Sequence, residues 1–175
     1  EEEEEEEEPQ YDGLSPVQAE ACKTMLNNIR ELQDEEGRVV GELFERLPTR
    51  KTLPEYYRQI AQPIDFESIA KCLKQGGYPT VWKFLLAVEL MLSNCQAYNE
   101  EDSMLYDDAN TLREAIISEL QKVYPGHPYP EPFSIYDEAS CQMPEWEPHK
   151  PGGAKAGKKD GGKKPAGSFK VTLKM

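Results

Sequence analysis

Apolar positions recur at helical spacing in four stretches of this chain, and between the first two lies a stretch that loses the spacing but keeps the apolar side chains. Val17, Ala21, Met25, Ile29 and Leu32 form the first stripe, one residue per turn along one face. Ser15-Pro16 starts it, with the hydroxyl as cap and the proline in the first turn, and Gly37 marks its break. Asp65 caps the second, with Phe66, Ile69, Ala70 and Leu73 as its inner face and Gly76-Gly77 as its stop. Thr80 opens the third, whose inner residues are Phe84, Leu85, Val88, Met91, Leu92 and Cys95. Ser103 caps the fourth, which carries Ala109, Leu112, Ile116, Leu120 and Val123 and ends at Tyr124-Pro125-Gly126. Asp107 and Asp108 in its first turns suit the positive end of the helix dipole.

From Val39 to Ile64 the residues Leu43, Phe44, Leu47, Leu53, Tyr56, Tyr57 and Ile60 are apolar or aromatic, yet Pro48, Pro54 and Pro63 interrupt any long helix. A connection this long inside a compact domain is uncommon and usually functional. An unstructured linker has no need of so many aromatics, so the stretch reads as a packed binding loop. Four amphipathic helices, one long first connection and two short later ones predict an all-α four-helix bundle over residues 14–125. Residues 1–13 read as an acidic disordered lead, and 126–151 as a Pro/aromatic-rich extension that either packs back on the bundle or continues as a linker. Residues 152–175 read as a Lys/Gly-rich flexible tail, whose last eight residues, Ser168 to Met175, alternate in the manner of a strand.

Length and charge narrow the picture. The 175 residues allow one ordinary domain with tails, and the first residue is not Met, as expected of a piece of a longer protein. No run approaches the ~18 apolar residues of a membrane span, and no signal-peptide pattern opens the chain. Of the net charge of −13, Glu1 to Glu8 contribute −8 and the stretch from Pro151 onward +6, which leaves −11 on residues 9–150. Such a body argues against duplex DNA binding and for a cationic partner, or else is an ordinary solvated surface. The Lys/Gly tail is open to nonspecific, salt-sensitive DNA contact. The cysteines Cys22, Cys72, Cys95 and Cys141 contain no C-x-x-C pair and read as reduced thiols of an intracellular protein. His127 and His149 stand apart in Pro-rich sequence, so no metal site can be argued. No cofactor is called for. No Ser-His-Asp set, Cys-His pair or phosphate-cradling Gly loop can be assembled, and the acid clusters sit at helix starts where carboxylates are structurally expected, so the sequence predicts no enzyme.

The candidate chemistry lies at the third helix's end, in Asn94-Cys95-Gln96-Ala97-Tyr98-Asn99. Asn99 is either a cap that tolerates left-handed dihedrals or, with Tyr98 beside it and Tyr56-Tyr57 upstream, an amide beside an apolar slot that holds a neutral polar ligand group.

With Leu53-Pro54-Glu55-Tyr56-Tyr57, then Gln62-Pro63-Ile64-Asp65-Phe66, then the Asn94–Asn99 stretch, the chain resembles a bromodomain over about residues 15 to 124. The segment Glu42-Leu43-Phe44-Glu45-Arg46-Leu47-Pro48-Thr49-Arg50-Lys51 is most similar to the bromodomains of chromatin remodellers of the polybromo and SWI/SNF or RSC kind. The resemblance implies a left-handed bundle with an acetyl-lysine pocket at one end. Asn99 would hydrogen-bond the acetyl carbonyl, Tyr56 would reach the same oxygen through a water, and Tyr98 would line the slot. Phe44 takes the shelf position, Leu47 and Leu53 the loop wall, Leu105 the gatekeeper position, and Met91 and Cys95 the floor. One departure stands out: Gly41-Glu42-Leu43-Phe44 replaces the Trp-Pro-Phe shelf of another bromodomain branch. The resemblance also implies a nuclear reader of acetylated histone tails, working with other subunits of a remodelling complex, or a docking module that keeps the fold with little acetyl-lysine affinity.

Overall fold

The structure, a computed structural model, describes residues 13–132. The acidic lead up to Asp12, the extension beyond residue 132, the Lys/Gly tail and its strand-like end lie outside the described residues. Within them five α-helices run in the order α1 (Pro16–Arg30), α2 (Pro54–Gln59), α3 (Phe66–Lys74), α4 (Val81–Tyr98) and α5 (Met104–Val123), with a 3-10 turn at Glu42–Phe44. The four long ones form the bundle, in which α4 packs against α1, α3 and α5, and α1 also touches α3 and α5. The fifth, α2, is a six-residue helix inside the long first loop, where no helix was expected; Pro54 occupies its first turn.

The helix starts follow from local chemistry. Ser15 and Gln18 form a reciprocal capping box on α1. Asp65, Thr80 and Ser103 each accept a backbone N–H three residues on, at the heads of α3, α4 and α5. α3 stops in a Schellman turn, with Gly76 at φ +69° and the Gly77 N–H donating to the Cys72 carbonyl. The first stripe is displaced from its expected line. Cys22, Met25, Leu26 and Ile29 face the core while Val17 is 77% exposed. Residues four apart advance 40° around a helix beyond a full turn, so two such steps back from Met25 carry Val17 off the buried face. At the other end Val123 is exposed too.

Helix α4 is buried on nearly every side, including Glu89, Ser93 and Asn94. Glu89 is 0% exposed, and its charge is met by Arg113 of α5, which donates from Nε at 2.9 Å and from Nη2 at 2.7 Å. Ser93 Oγ donates to the same carboxylate at 2.7 Å, and Arg113 also reaches Gln96 at 2.8 Å. Asp108, expected to serve the helix dipole, is instead buried and accepts two bonds of 2.8 Å from Arg38. Arg38 also donates to Asp34, so this guanidinium pins the turn after α1 to the head of α5. Beyond α5 the chain turns back at Gly126, whose N–H donates to Gln121 Oε1, while Gln121 Nε2 donates to the His127 carbonyl. Tyr129 then packs on the core. Of the two courses open for the extension, its described part packs back.

Candidate functional site

One end of the bundle is shaped by the first loop, which a set of polar contacts holds in place. The Leu47 N–H donates to Asp65 Oδ2 at 3.0 Å, so the residue that caps α3 also ties down the loop's middle. The Glu67 N–H donates to the Glu45 carbonyl at 3.2 Å. Asn94, 3% exposed on α4, donates from Nδ2 to the Gln62 carbonyl at 2.8 Å. Tyr57 Oη donates to the Pro48 carbonyl at 2.5 Å, and the Arg50 guanidinium stacks 4.6 Å over the Tyr57 ring. The loop also enters close against α1: a Cβ on Gly41 would meet the Phe66 ring at 3.0 Å and the Ile29 carbonyl at 3.4 Å. Glycine there lets the 3-10 turn settle on the helices, which buries Phe44 6.3 Å from Phe66 in a tilted ring pair.

Between this loop and the α4–α5 connection lies a cavity of about 470 Å³, within the range of small-ligand sites. All nine residues singled out in the sequence line it: Phe44, Leu47, Leu53, Tyr56, Met91, Cys95, Tyr98, Asn99 and Leu105. Phe44, Met91 and Cys95 are buried, and Leu47, Leu53 and Leu105 are half-buried along the walls. Tyr56 meets Tyr98 edge-to-face at 5.1 Å, and burial raises both phenols, with Cys95 next for Tyr56 and Glu55 for Tyr98. Both therefore keep their O–H donors at neutral pH. The Tyr56-Tyr57 pair divides: Tyr56 faces the cavity, while Tyr57 braces the loop.

Asn99 caps α4 with φ −94° and ψ 155°, extended backbone open to any residue, so the left-handed explanation for an asparagine here does not apply. Its side chain reaches back, donating from Nδ2 to the Cys95 carbonyl at 2.9 Å and lying 3.5 Å from Cys95 Sγ. Ser103 shapes the short connection, donating from Oγ to the Glu100 carbonyl at 2.6 Å.

Sequence reasoning gave no role to several other lining residues, among them Ile64, Pro48 and Met104. Ile64 stands inside a quoted motif, directly before the helix-capping Asp65, and its position between two anchored residues was the available signal. Met104, 48% exposed, heads α5 beside Leu105. Glu42, Glu45, Arg46 and Glu100 add charge at the cavity's edge, though Glu45 pairs with Arg30 and Arg46 with Glu67. Among the described residues no cluster of His, Cys, Asp and Glu is placed to hold a metal ion, and no helix is long and apolar enough to cross a membrane.

The chain belongs to the bromodomain family, whose model matches residues 22–111. Among its relatives in sequence are subunits of chromatin-remodelling complexes. The SWI/SNF chromatin-remodeling complex subunit snf22 of Schizosaccharomyces pombe is 36% identical over 123 residues, which cover 68% of this chain and 7% of that protein. The chromatin structure-remodeling complex subunit rsc1 of the same yeast is 34% identical over 113 residues, covering 65% of this chain and 14% of that one. The chain thus spans only a small fraction of these relatives' length. In structure it is similar to the Rsc4 tandem bromodomain in acetylated form, with a TM-score of 0.61 at 20% identity over 62% of this chain and 44% of that one. It is also similar to the bromodomain of human BAZ1A, with a TM-score of 0.54 at 22% identity over 63% of this chain and 96% of that one. The shared fold is a left-handed four-helix bundle.

Proposed function

We propose that this chain is a non-enzymatic reader of acetylated lysine, recognising histone tails or other chromatin proteins as the targeting module of a nuclear remodelling subunit. The observation that carries the reading is Asn99: a carboxamide on extended backbone, beside an apolar cavity of about 470 Å³. An unmodified lysine brings an ammonium that such a slot does not solvate, and burying an unpaired charge is heavily penalised. Acetylation removes the charge and leaves one carbonyl to satisfy. A donor for that carbonyl contributes on the order of 1 kcal/mol net, whereas leaving it unmade costs ~1–3 kcal/mol. Desolvation of the charge therefore sets the preference, and the amide contact fixes the register.

Asn99→Ala and Asn99→Phe are expected to abolish binding to acetylated peptides on an array while shifting the thermal midpoint little. Binding that survives either change sinks the assignment of Asn99. The competing reading is a docking module with weak or no acetyl-lysine affinity; a wild-type chain with no preference for acetylated over unmodified peptides would favour it.

A further inference from the structure

Asn99 is oriented by a single residue. The Cys95 carbonyl accepts both the backbone N–H of Asn99 at 2.9 Å and its side-chain Nδ2 at 2.9 Å. With a carbonyl in that place, the carboxamide must turn its NH2 end, and not its oxygen, towards α4. One of the two Nδ2 protons is thereby committed. Cys95 Sγ lies 3.5 Å from the same nitrogen, within reach of the other proton, and a thiol sulfur is a weak acceptor. That sulfur has its own engagement across the cavity wall: its S–H donates to the Leu105 carbonyl at 3.4 Å, at the start of α5. Burial pushes the Cys95 thiol up to about 12, so at neutral pH it keeps its proton and the chain Asn99 N–H to sulfur to Leu105 carbonyl stays intact.

We propose that Cys95 is the positioning residue of this site: its sulfur parks the second amide proton of Asn99 and yields it to the ligand's carbonyl oxygen. The proposal rests on the acetyl-lysine reading for the identity of that ligand. A thiol suits the task because it holds the carboxamide in one orientation yet competes feebly with an amide oxygen. A carboxylate or a thiolate there would hold the proton against the ligand. Removing the sulfur leaves the second proton without that partner and the carboxamide held by the residue-95 backbone carbonyl alone. A hydroxyl in its place can still accept from Asn99 and donate to Leu105.

The test uses the full 175-residue chain, isotopically labelled, as wild type, Cys95→Ala and Cys95→Ser. The side-chain NH2 resonances of Asn99 are followed by NMR. Binding is measured calorimetrically with a lysine-rich peptide, once acetylated at every lysine and once unmodified. Cys95→Ala is expected to shift one of the two Asn99 amide protons and to weaken acetyl-peptide binding about threefold to tenfold, the span of one modest hydrogen bond. Cys95→Ser is expected to restore most of both, although the two variants have similar thermal midpoints. Asn99 resonances and affinity unchanged by Cys95→Ala would overturn the proposal, as would a Ser variant no better than the Ala one. A wild type that does not distinguish the two peptides removes the acetyl-lysine reading instead, and the resonance shift then decides the positioning role alone.

Discussion

Two asparagines five positions apart, one on α4 and one capping it, have different surroundings, and only these tell them apart. Asn94 is buried and holds the first loop through the Gln62 carbonyl; Asn99 is half-buried and lies at the cavity. Asn94→Ala deletes a buried side chain together with its bond to the Gln62 carbonyl and is expected to cost about 1–3 kcal/mol in chemical denaturation, with weaker ligand binding as a consequence of a loosened loop. Asn99→Ala removes a contact within its own helix end and is expected to cost less than about 1 kcal/mol. Equal destabilisation by the two changes would refute the division. The place of Asn99 at the cavity was legible because the motif around it is contiguous, whereas the contact of Asn94 depends on a partner 32 residues away, which no local pattern shows. The thiols allow a second test. Burial pushes Cys22 and Cys95 from their ordinary value near 9 up to about 12. Their neutral forms are favoured in the folded chain, so this contribution to stability is complete below about 9 and is lost as pH rises from there towards 12. Alkylation at pH 8 is accordingly expected to be slow in the native protein and fast in denaturant; rapid native labelling of Cys22 or Cys95 would contradict their burial.

Between elements, the contact that was least visible in the sequence is the buried ion pair joining α4 to α5. Caps at Ser15, Asp65, Thr80 and Ser103 could be read locally because donor and acceptor lie three residues apart. Glu89 and Arg113 are 24 apart, and Arg38 and Asp108 are 70 apart. Glu89 lies in a helix that also carries Lys83, Ser93, Asn94 and Gln96; nothing in the periodicity distinguishes its carboxylate from a solvated one. Helix α2 was missed for a related reason: six residues are too few to carry a periodic stripe, and the prolines around it pointed to irregular chain. Arg113→Ala leaves the fully buried Glu89 uncompensated and is expected to destabilise the fold by about 3–5 kcal/mol, read as a lower denaturation midpoint. Replacing both members, Glu89→Leu with Arg113→Met, is expected to cost much less than the single change, because a buried pair's desolvation roughly cancels its attraction. If the double variant is no better than Arg113→Ala, the side chains matter for packing and not for charge.

At the scale of the whole molecule, the acidic body bears, on the proposed acetyl-lysine reading, on what surrounds the modified lysine. Residues 9–150 carry −11, and Glu42 and Glu100 reach the cavity's edge, with Glu101 and Asp102 exposed beyond it. Exposed pairs are individually worth only about 0–1 kcal/mol, so this surface adds modest affinity and is no substitute for the cavity. Its contribution differs in one measurable respect. The apolar slot is indifferent to salt, whereas attraction between exposed charges is screened over about 10 Å at 0.1 M and about 3 Å at 1 M ionic strength. A peptide with one acetyl-lysine among lysines and arginines is therefore expected to lose up to about fivefold in affinity between those salt concentrations. The same acetyl-lysine among neutral residues is expected to lose almost nothing, and the combined change Glu100→Gln, Glu101→Gln, Asp102→Asn to bring the first peptide close to the second. Identical salt responses for the two peptides would show the acids to be ordinary solvated residues. On the proposed reading as the targeting module of a remodelling subunit, a weak preference of this kind would gain from tethering to further contacts. Tethering converts a second contact into an intramolecular one, so a fivefold bias at one site would be compounded by each further site engaged on the same partner.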